Sequence, residues 1–364
     1  MKTVLCITTA GKGSRDSVRV RRLTAHLLAE IEYFELDRSG SRVAASKAVW
    51  ERLKAQKWDL VFQEGTGIAG GLNLIRAALT WQQPFVVSSG DPVGGFFHVT
   101  QGPLVGSLFE LYEKLLYRTC SGFVGWTPYL TGAALKMGAQ RAVTVEGAVD
   151  PSVFSPRSAA EKRSLREKYG LSAEHIVCGV VGSLKWSDRQ SYCYGLELVE
   201  ALKYIQRSDL SMLIVGDGDG RDRLEATIPE HLRDRVVFTG RVDEAEVVDT
   251  INTMDIGFVT QTLDQLGNYR LTTKLPEYLA CGVPVAMSPI PGFYDYAEPA
   301  GWALPAAHPA SEQFHQQCAR WLDGLRHEEI ADKASHTLEL VDKYFDYGQL
   351  SNKLCSFLDS FLYE

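Results

Sequence analysis

Lys274 and Glu277 stand three residues apart in Leu271-Thr-Thr-Lys-Leu-Pro-Glu-Tyr-Leu-Ala-Cys-Gly-Val-Pro-Val-Ala286, a stretch that reads as a short helix leading into a buried strand. That spacing puts an ammonium and a carboxylate on one side of the first turns. Together they suit a nucleoside diphosphate, the cation meeting the phosphates and the acid accepting two hydrogen bonds from a ribose diol. Thr272 or Thr273 can cap the helix, Pro276 is tolerated in its first turn, and Gly282 ends it before Val283 to Met287. Free N–H groups and the positive dipole end of a helix roughly two and a half turns long add to the field of Lys274. A plainer reading fits the same residues: Glu277 is an acid favoured by the dipole, and Lys274 is a solvated side chain.

Glycines and acids at other strand ends widen the choice. Gly11 and Gly13, in Gly-Lys-Gly-Ser-Arg-Asp16, follow the first apolar run, and Glu35 and Asp37 close the second. A dinucleotide fold has such a pattern, but Asp16 stands where its third glycine belongs. Gly216-Asp-Gly-Asp-Gly220 has the spacing G-x-G-x-G. Asp217 and Asp219 would repel a diphosphate unless backbone alone faces it, so these glycines are expected to admit a ligand closely rather than grip it. Thr239-Gly-Arg-Val-Asp243 suits the edge of a flat base and suits an ordinary turn equally. Asp91, in Ser88-Ser-Gly-Asp-Pro-Val-Gly-Gly95, follows a buried run and is a candidate acid at the carboxyl edge of a sheet, although Asp before Pro is also a common turn starter. His98, a few residues on, ranks below it because a lone loop histidine is usually solvated. Arg15, Arg19, Arg21 and Arg22 could together receive an acceptor phosphate or an anionic headgroup, or form a basic solvated helix face. No P-loop, no G-x-S-x-G elbow, no metal-ligand spacing among the eight histidines and no cysteine with a histidine partner is present.

These residues need a frame, and 364 residues with 45% hydrophobic side chains are enough for two domains. Short apolar runs alternate with helical segments, the pattern of α/β folds with parallel sheets. Strands are expected near Val4 to Thr9, Tyr33 to Leu36, Leu60 to Gln63, Phe85 to Ser88, Gly122 to Trp126 and Ala142 to Val145. Gly147 to Pro156 reads as a linker, followed by a charged surface helix through Lys168. A second set of strands follows at Ile176 to Val181, Met212 to Val215, Val236 to Thr239, Ile256 to Thr260, Val283 to Met287 and Trp302 to Leu304. Two doubly wound domains result, 1–155 and 156–345, with a terminal helix at about 346–364 that packs down on its aromatic face. A net charge of −7 argues against a broad nucleic-acid surface. Seven cysteines without paired spacing fit a reducing compartment, and a cytoplasmic protein is expected, with peripheral membrane contact left open.

The chain resembles the retaining glycosyltransferases of family 4, the glycosyl transferases group 1, which have the GT-B fold. Val145-Glu-Gly-Ala-Val-Asp-Pro-Ser-Val-Phe-Ser-Pro156 is similar to the interdomain signature of that family. Val181-Gly-Ser-Leu184, Ile214-Val-Gly-Asp-Gly218, Val237-Phe-Thr-Gly-Arg241, Asp255-Ile-Gly-Phe258 and Lys274 to Val285 follow its later blocks in order. The resemblance implies two Rossmann-like domains facing across a cleft, with the acceptor on the first and the nucleotide sugar on the second, and a last helix that returns to the first. It implies transfer of a sugar, from UDP by prevalence, to a hydroxyl of a glycan, glycolipid or small molecule, without cofactor or metal. Glu277 would bind ribose, Lys274 the diphosphate, and Asp91 would lie near the reacting sugar. Gly182, Ser183, Gly216, Gly218, Arg241, Val242 and Thr273 would line the donor site, and Gly11, Gly13 and His98 the acceptor side. The chain also departs from the family. Tyr269 stands where a second glutamate is usual, and Ser183 and Tyr194 stand where an arginine and a lysine are usual. Lys185, Arg189 or Arg270 could supply the missing charge. A catalytically degenerate binder is therefore the alternative, with a dinucleotide-dependent oxidoreductase behind it.

Overall fold

The computed structural model describes residues 1–37 and 39–363, except for the side chain of Glu244. Two compact units divide the chain, one of Met1–Ala148, Tyr269–Leu271 and Phe345–Glu364, the other of Val149–Asn268 and Thr272–Tyr344. Val149 to Ser155, read above as the end of the first domain, therefore belongs with the second. Phe154 is buried there, and the Ser155 carbonyl accepts from Asn252 Nδ2 at 3.1 Å.

The first unit alternates β1 (Thr3–Thr8), α1 (Arg15–Leu23), β2 (Glu30–Glu35), α2 (Arg42–Lys54), β3 (Leu60–Glu64), α3 (Ile68–Trp81) and β4 (Phe85–Ser89). It continues through α4 (Val93–Gln101), α5 (Pro103–Thr119), β5 (Gly122–Gly125), α6 (Pro128–Met137) and β6 (Ala142–Thr144). The strands form one parallel sheet in the order β2-β1-β3-β4-β5-β6. Period 2 sends Leu5, Ile7, Val61 and Phe85 to the core shared with α2, α3, α5 and α6, and Val4, Cys6, Leu60 and Phe62 to the opposite core.

The second unit runs α7 (Ala159–Lys168), β7 (Ile176–Val181), α8 (Leu196–Leu202), β8 (Leu210–Val215), α9 (Arg221–Thr227), β9 (Val236–Gly240), α10 (Glu244–Thr253) and β10 (Ile256–Val259). After these come α11 (Lys274–Ala280), β11 (Val285–Met287), α12 (Pro291–Tyr296), β12 (Gly301–Ala303), α13 (Glu312–Gly324), α14 (His327–Ser335) and α15 (Thr337–Tyr344). Its parallel sheet has the order β12-β11-β10-β7-β8-β9. The first strand thus sits at the centre, with the next two on one side and the last three on the other, the Rossmann order. Its topological switch point lies between β7 and β10, where doubly wound sheets bind ligands beyond the carboxyl ends of the strands.

The chain then returns to the first unit as α16 (Tyr347–Leu362). Leu350, Leu354, Leu358 and Leu362 recur at helical spacing and pack with Val20 and Leu23 of α1. All seven cysteines are free and buried. Among the described residues no helix is long and apolar enough to cross a membrane.

Candidate functional site

In the second unit, the turns after three strands build a cavity of about 470 Å³ lined by Gly182, Ser183, Gly216, Asp217, Gly218 and Arg241. Its size is within the range of small-molecule sites. Gly182 ends β7 and donates its N–H to Val215 O at 2.9 Å, and Gly216 ends β8 and donates to Gly240 O at 3.0 Å. Gly216 has φ +134°, and a Cβ there would lie 1.9 Å from the Gly182 carbonyl oxygen. At Gly218 a Cβ would fall 2.5 Å from the Leu184 carbonyl carbon. These two glycines let neighbouring turns of the chain meet, and both also line the cavity.

The acids between the glycines are engaged locally. Asp217 Oδ1 accepts from Gly218 N at 2.9 Å, and Asp219 Oδ1 accepts from Trp186 N at 2.7 Å, pinning the loop after β7. Lys185 and Arg189 stand exposed on that loop, Arg241 is exposed after β9, and Val242 is half-buried beside it.

Helix α11 is shorter than its sequence suggests, seven residues from Lys274 to Ala280, and Thr273 holds its N-cap position without a side-chain cap bond. Its dipole is correspondingly a smaller source of field, and Lys274 supplies the full charge. A Cβ on Gly182 would lie 3.1 Å from Lys274 Cε and 3.4 Å from Nζ, so the ammonium reaches the edge of the cavity. Nζ is 3.6 Å from the centroid of the Tyr194 ring. Glu277, one turn in, is 6% exposed. The next residue anchors the helix, since the Tyr278 hydroxyl accepts from Val181 N at 2.8 Å and its ring is fully buried. The side-chain hydroxyl of Thr272 is buried without a hydrogen bond to any described residue.

Arg270, grouped above with the donor residues, belongs to the first unit. Its Nε lies 2.9 Å from Asp91 Oδ1 and its Nη2 donates to Oδ2 at 3.2 Å, a two-point ion pair in the turn after β4. Tyr269, at the position of the missing glutamate, packs against the first unit's core while its carbonyl accepts from Thr127 Oγ1 at 2.7 Å. The amides that follow Asp91 are already taken: Val93 N and Gly94 N each donate to the buried Glu113 carboxylate at 3.0 Å. That helix end is closed to a phosphate.

Gly11 and Gly13 turn the chain between β1 and α1 with φ +103° and +68°. His98 lies in α4, where a Cβ on Gly106 would strike its ring at 2.2 Å, and its Nε2 is 3.7 Å from Glu110 Oε2. The histidine is thus packed between α4 and α5 rather than solvated in a loop. His98→Ala should accordingly lower the thermal midpoint, as loss of a helix-helix contact does.

The arginine cluster separates. Arg21 pairs with Glu35 and lies over Tyr33, and Arg22 lies over Tyr347. Arg19 is buried, donates to Val145 O and Glu146 O at 2.9 and 2.7 Å, stacks on Trp126, and has its Nε 3.7 Å from Glu64 Oε2. Glu64 also accepts from Ser88 Oγ and Trp126 Nε1, and burial pushes its carboxyl above the ordinary range against the pull of Arg19. Sequence reading missed this centre; the available signal was an acid ending an apolar strand just before Gly65. The acids of the dinucleotide reading are occupied as well. Glu35 accepts from Ser17 and Arg21, and Asp37 accepts from Ser39 N and Oγ. Among the described residues no group of three His, Cys, Asp or Glu is placed to hold a metal.

Residues 175–323 match the family model described as Glycosyl transferases group 1. The 2-deoxystreptamine glucosyltransferase of Streptomyces kanamyceticus is 30% identical over 200 residues, 54% of this chain and 48% of that protein, so the chain spans about half the length of this relative. HepE of Anabaena, solved with UDP and with UDP-glucose, superposes with a TM-score of 0.76 for the UDP complex, at 17% identity, over 99% of this chain and all of that one. Sucrose-phosphate synthase from Thermosynechococcus elongatus gives a TM-score of 0.75 at 16% identity, over 99% of both chains.

Proposed function

We propose that this chain, a GT-B protein whose residues 175–323 match the glycosyl transferases group 1 family model, transfers a sugar from a nucleoside diphosphate sugar to an acceptor hydroxyl. The observation that carries this reading is the cavity beyond the carboxyl ends of β7, β8 and β9, with the Lys274 ammonium at its edge and Glu277 one turn behind. UDP is the preferred nucleotide and UDP-glucose the first donor to test, supported by the bound molecules of HepE and the activity named for the Streptomyces relative.

In this reading the bond from the anomeric carbon to the β-phosphate oxygen breaks as the acceptor oxygen bonds to the same face of the sugar. The acceptor proton passes to the departing phosphate, which retains the anomeric configuration. The chief task is to stabilise charge growing on the β-phosphate, and Lys274, supplemented by the N-terminus of α11, meets it without a metal. The acceptor is a glycan, a glycolipid or a small molecule, and the turn holding the Asp91–Arg270 pair is the candidate acceptor-side group of the first unit. We place the protein in the cytoplasm, in keeping with its seven free thiols.

A second reading, a degenerate nucleotide or glycan binder, is favoured by Tyr269, whose ring packs in a core where the family has a sugar ligand. Thermal unfolding against UDP, GDP, ADP, CDP and dTDP, with Glu277→Ala alongside, tests the site. A nucleotide at about a hundred times its Kd should add roughly 2.7 kcal/mol to the unit that binds it. UDP alone should raise the midpoint, and Glu277→Ala should abolish the shift. Absence of a shift with every nucleotide would sink the donor site. A shift without any product from UDP-glucose and a panel of acceptors would select the degenerate binder.

A further inference from the structure

We infer that the ring of Tyr194 is a positioning element for Lys274, an inference that rests on the donor-site reading above. The ammonium lies over the ring face, 3.6 Å from its centroid, where the ring quadrupole attracts a cation. The opposite wall is Gly182. A Cβ there would lie 3.0 Å from Tyr194 Cδ2 and 3.1 Å from Lys274 Cε, so glycine lets ring and stem meet at the cavity edge without displacement.

The ring is itself held in place. Its hydroxyl accepts from Gln261 Nε2 at 3.3 Å, and Gln261 is fixed through its own N–H and carbonyl, each 2.8 Å from Ser288 Oγ. Behind Tyr194 the chain turns at Gly195, with φ +94°, and Gly195 N donates to the buried Glu197 carboxylate at 3.0 Å. Tyr192 OH donates to the same carboxylate at 3.0 Å. A lysine on a flexible stem loses rotamer freedom whenever it meets an anion. Holding it in the folded state removes that loss from the reaction step, so the contribution should fall on kcat.

The test compares Tyr194→Ala, Tyr194→Phe, Lys274→Ala and the Ala/Ala double variant with UDP-glucose. Tyr194→Ala should lower kcat about tenfold while KM for the donor changes less than about threefold. Tyr194→Phe, which keeps the π face, should stay within about twofold of wild type. Tyr194→Ala should cost nothing further in the Lys274→Ala background. Tyr194→Leu, which keeps volume without a π face, covers the case in which the alanine variant folds poorly. Independently of turnover, the ε-CH2 protons of Lys274 should resonate upfield of the other lysines by ring current and return to the common range in Tyr194→Leu. A phenylalanine variant as slow as alanine, a full tenfold further loss in the Lys274→Ala background, or an unshifted ε-CH2 would each overturn the proposal. Should no glycosyl product form at all, the transfer reading falls, and UDP affinity by calorimetry in the same proteins, together with the ring-current shift, decides for Tyr194. An affinity loss in Tyr194→Ala that Tyr194→Phe restores supports the role, and equal loss in both removes it.

Discussion

Lys274→Ala will lower kcat for sugar transfer by about 10²–10³-fold, the loss expected when a preorganised group aimed at developing charge is removed. The expectation follows from how little else is fixed near that edge of the cavity. Helix α11 is seven residues long and Thr273 does not cap it through its side chain, so the partial charge of its end is a small supplement to the ammonium. Lys185, Arg189 and Arg241 are exposed side chains in high dielectric, where a charge does less work on a neighbour. Lys274→Arg should recover only part of the rate. Gly182 lies close enough to Cε that the wider guanidinium has to leave the position of the ammonium. Steady-state kcat and KM for UDP-glucose, with UDP affinity measured separately, check both variants. A Lys274→Ala enzyme within about threefold of wild type in kcat would move the charge-stabilising role to the exposed cations of the loops.

Gly216→Ala will be the most destabilising single change at the candidate site, by roughly 3–5 kcal/mol. Two independent costs combine. A φ of +134° is a conformation that side chains rarely adopt, and the new Cβ would lie 1.9 Å from a backbone oxygen, Gly182 O, which has no rotamer with which to yield. Relief requires β7 and β8 to separate at their carboxyl ends, which also opens the cavity, so UDP affinity should fall together with stability. In chemical or thermal unfolding the second unit should lose its midpoint by about 10 °C. Gly324→Ala in α13 is the control, because a Cβ there meets nothing within 4 Å and alanine is the better helix former, worth up to about 1 kcal/mol. Equal midpoints for Gly216→Ala and wild type would show that the two turns do not need their close contact.

Several site residues were found where the sequence placed them, for a local reason. Lys274 and Glu277 are joined by one turn of helix, and Gly182 and Gly216 end strands of strongly apolar sequence, so backbone periodicity alone fixes their neighbourhoods. The loop expected around His98 is instead a helix. Gly94 and Gly95 favour a turn in isolation, but Glu113 of α5 caps the amides of Val93 and Gly94 and holds the segment as α4. Four arginines in eight residues read as one basic face, and Arg15, Arg19 and Arg22 do recur at helical spacing, yet that stripe turns Arg19 inward, where two carbonyls, Glu64 and the Trp126 ring compensate its burial.

The sequence by itself determined the strands of both sheets, the two doubly wound halves and the acid–cation spacing of α11, because each of these follows from a period of two or of 3.6 residues and from glycine and proline at fixed offsets. Only tertiary structure decided which groups meet across long separations. Asp91 takes Arg270 from 179 residues away, and Tyr194, in the turn before α8, receives Lys274 of α11. Such pairings leave no local signal, since they depend on strand order and on the few ångströms between packed turns, and a one-dimensional pattern contains neither.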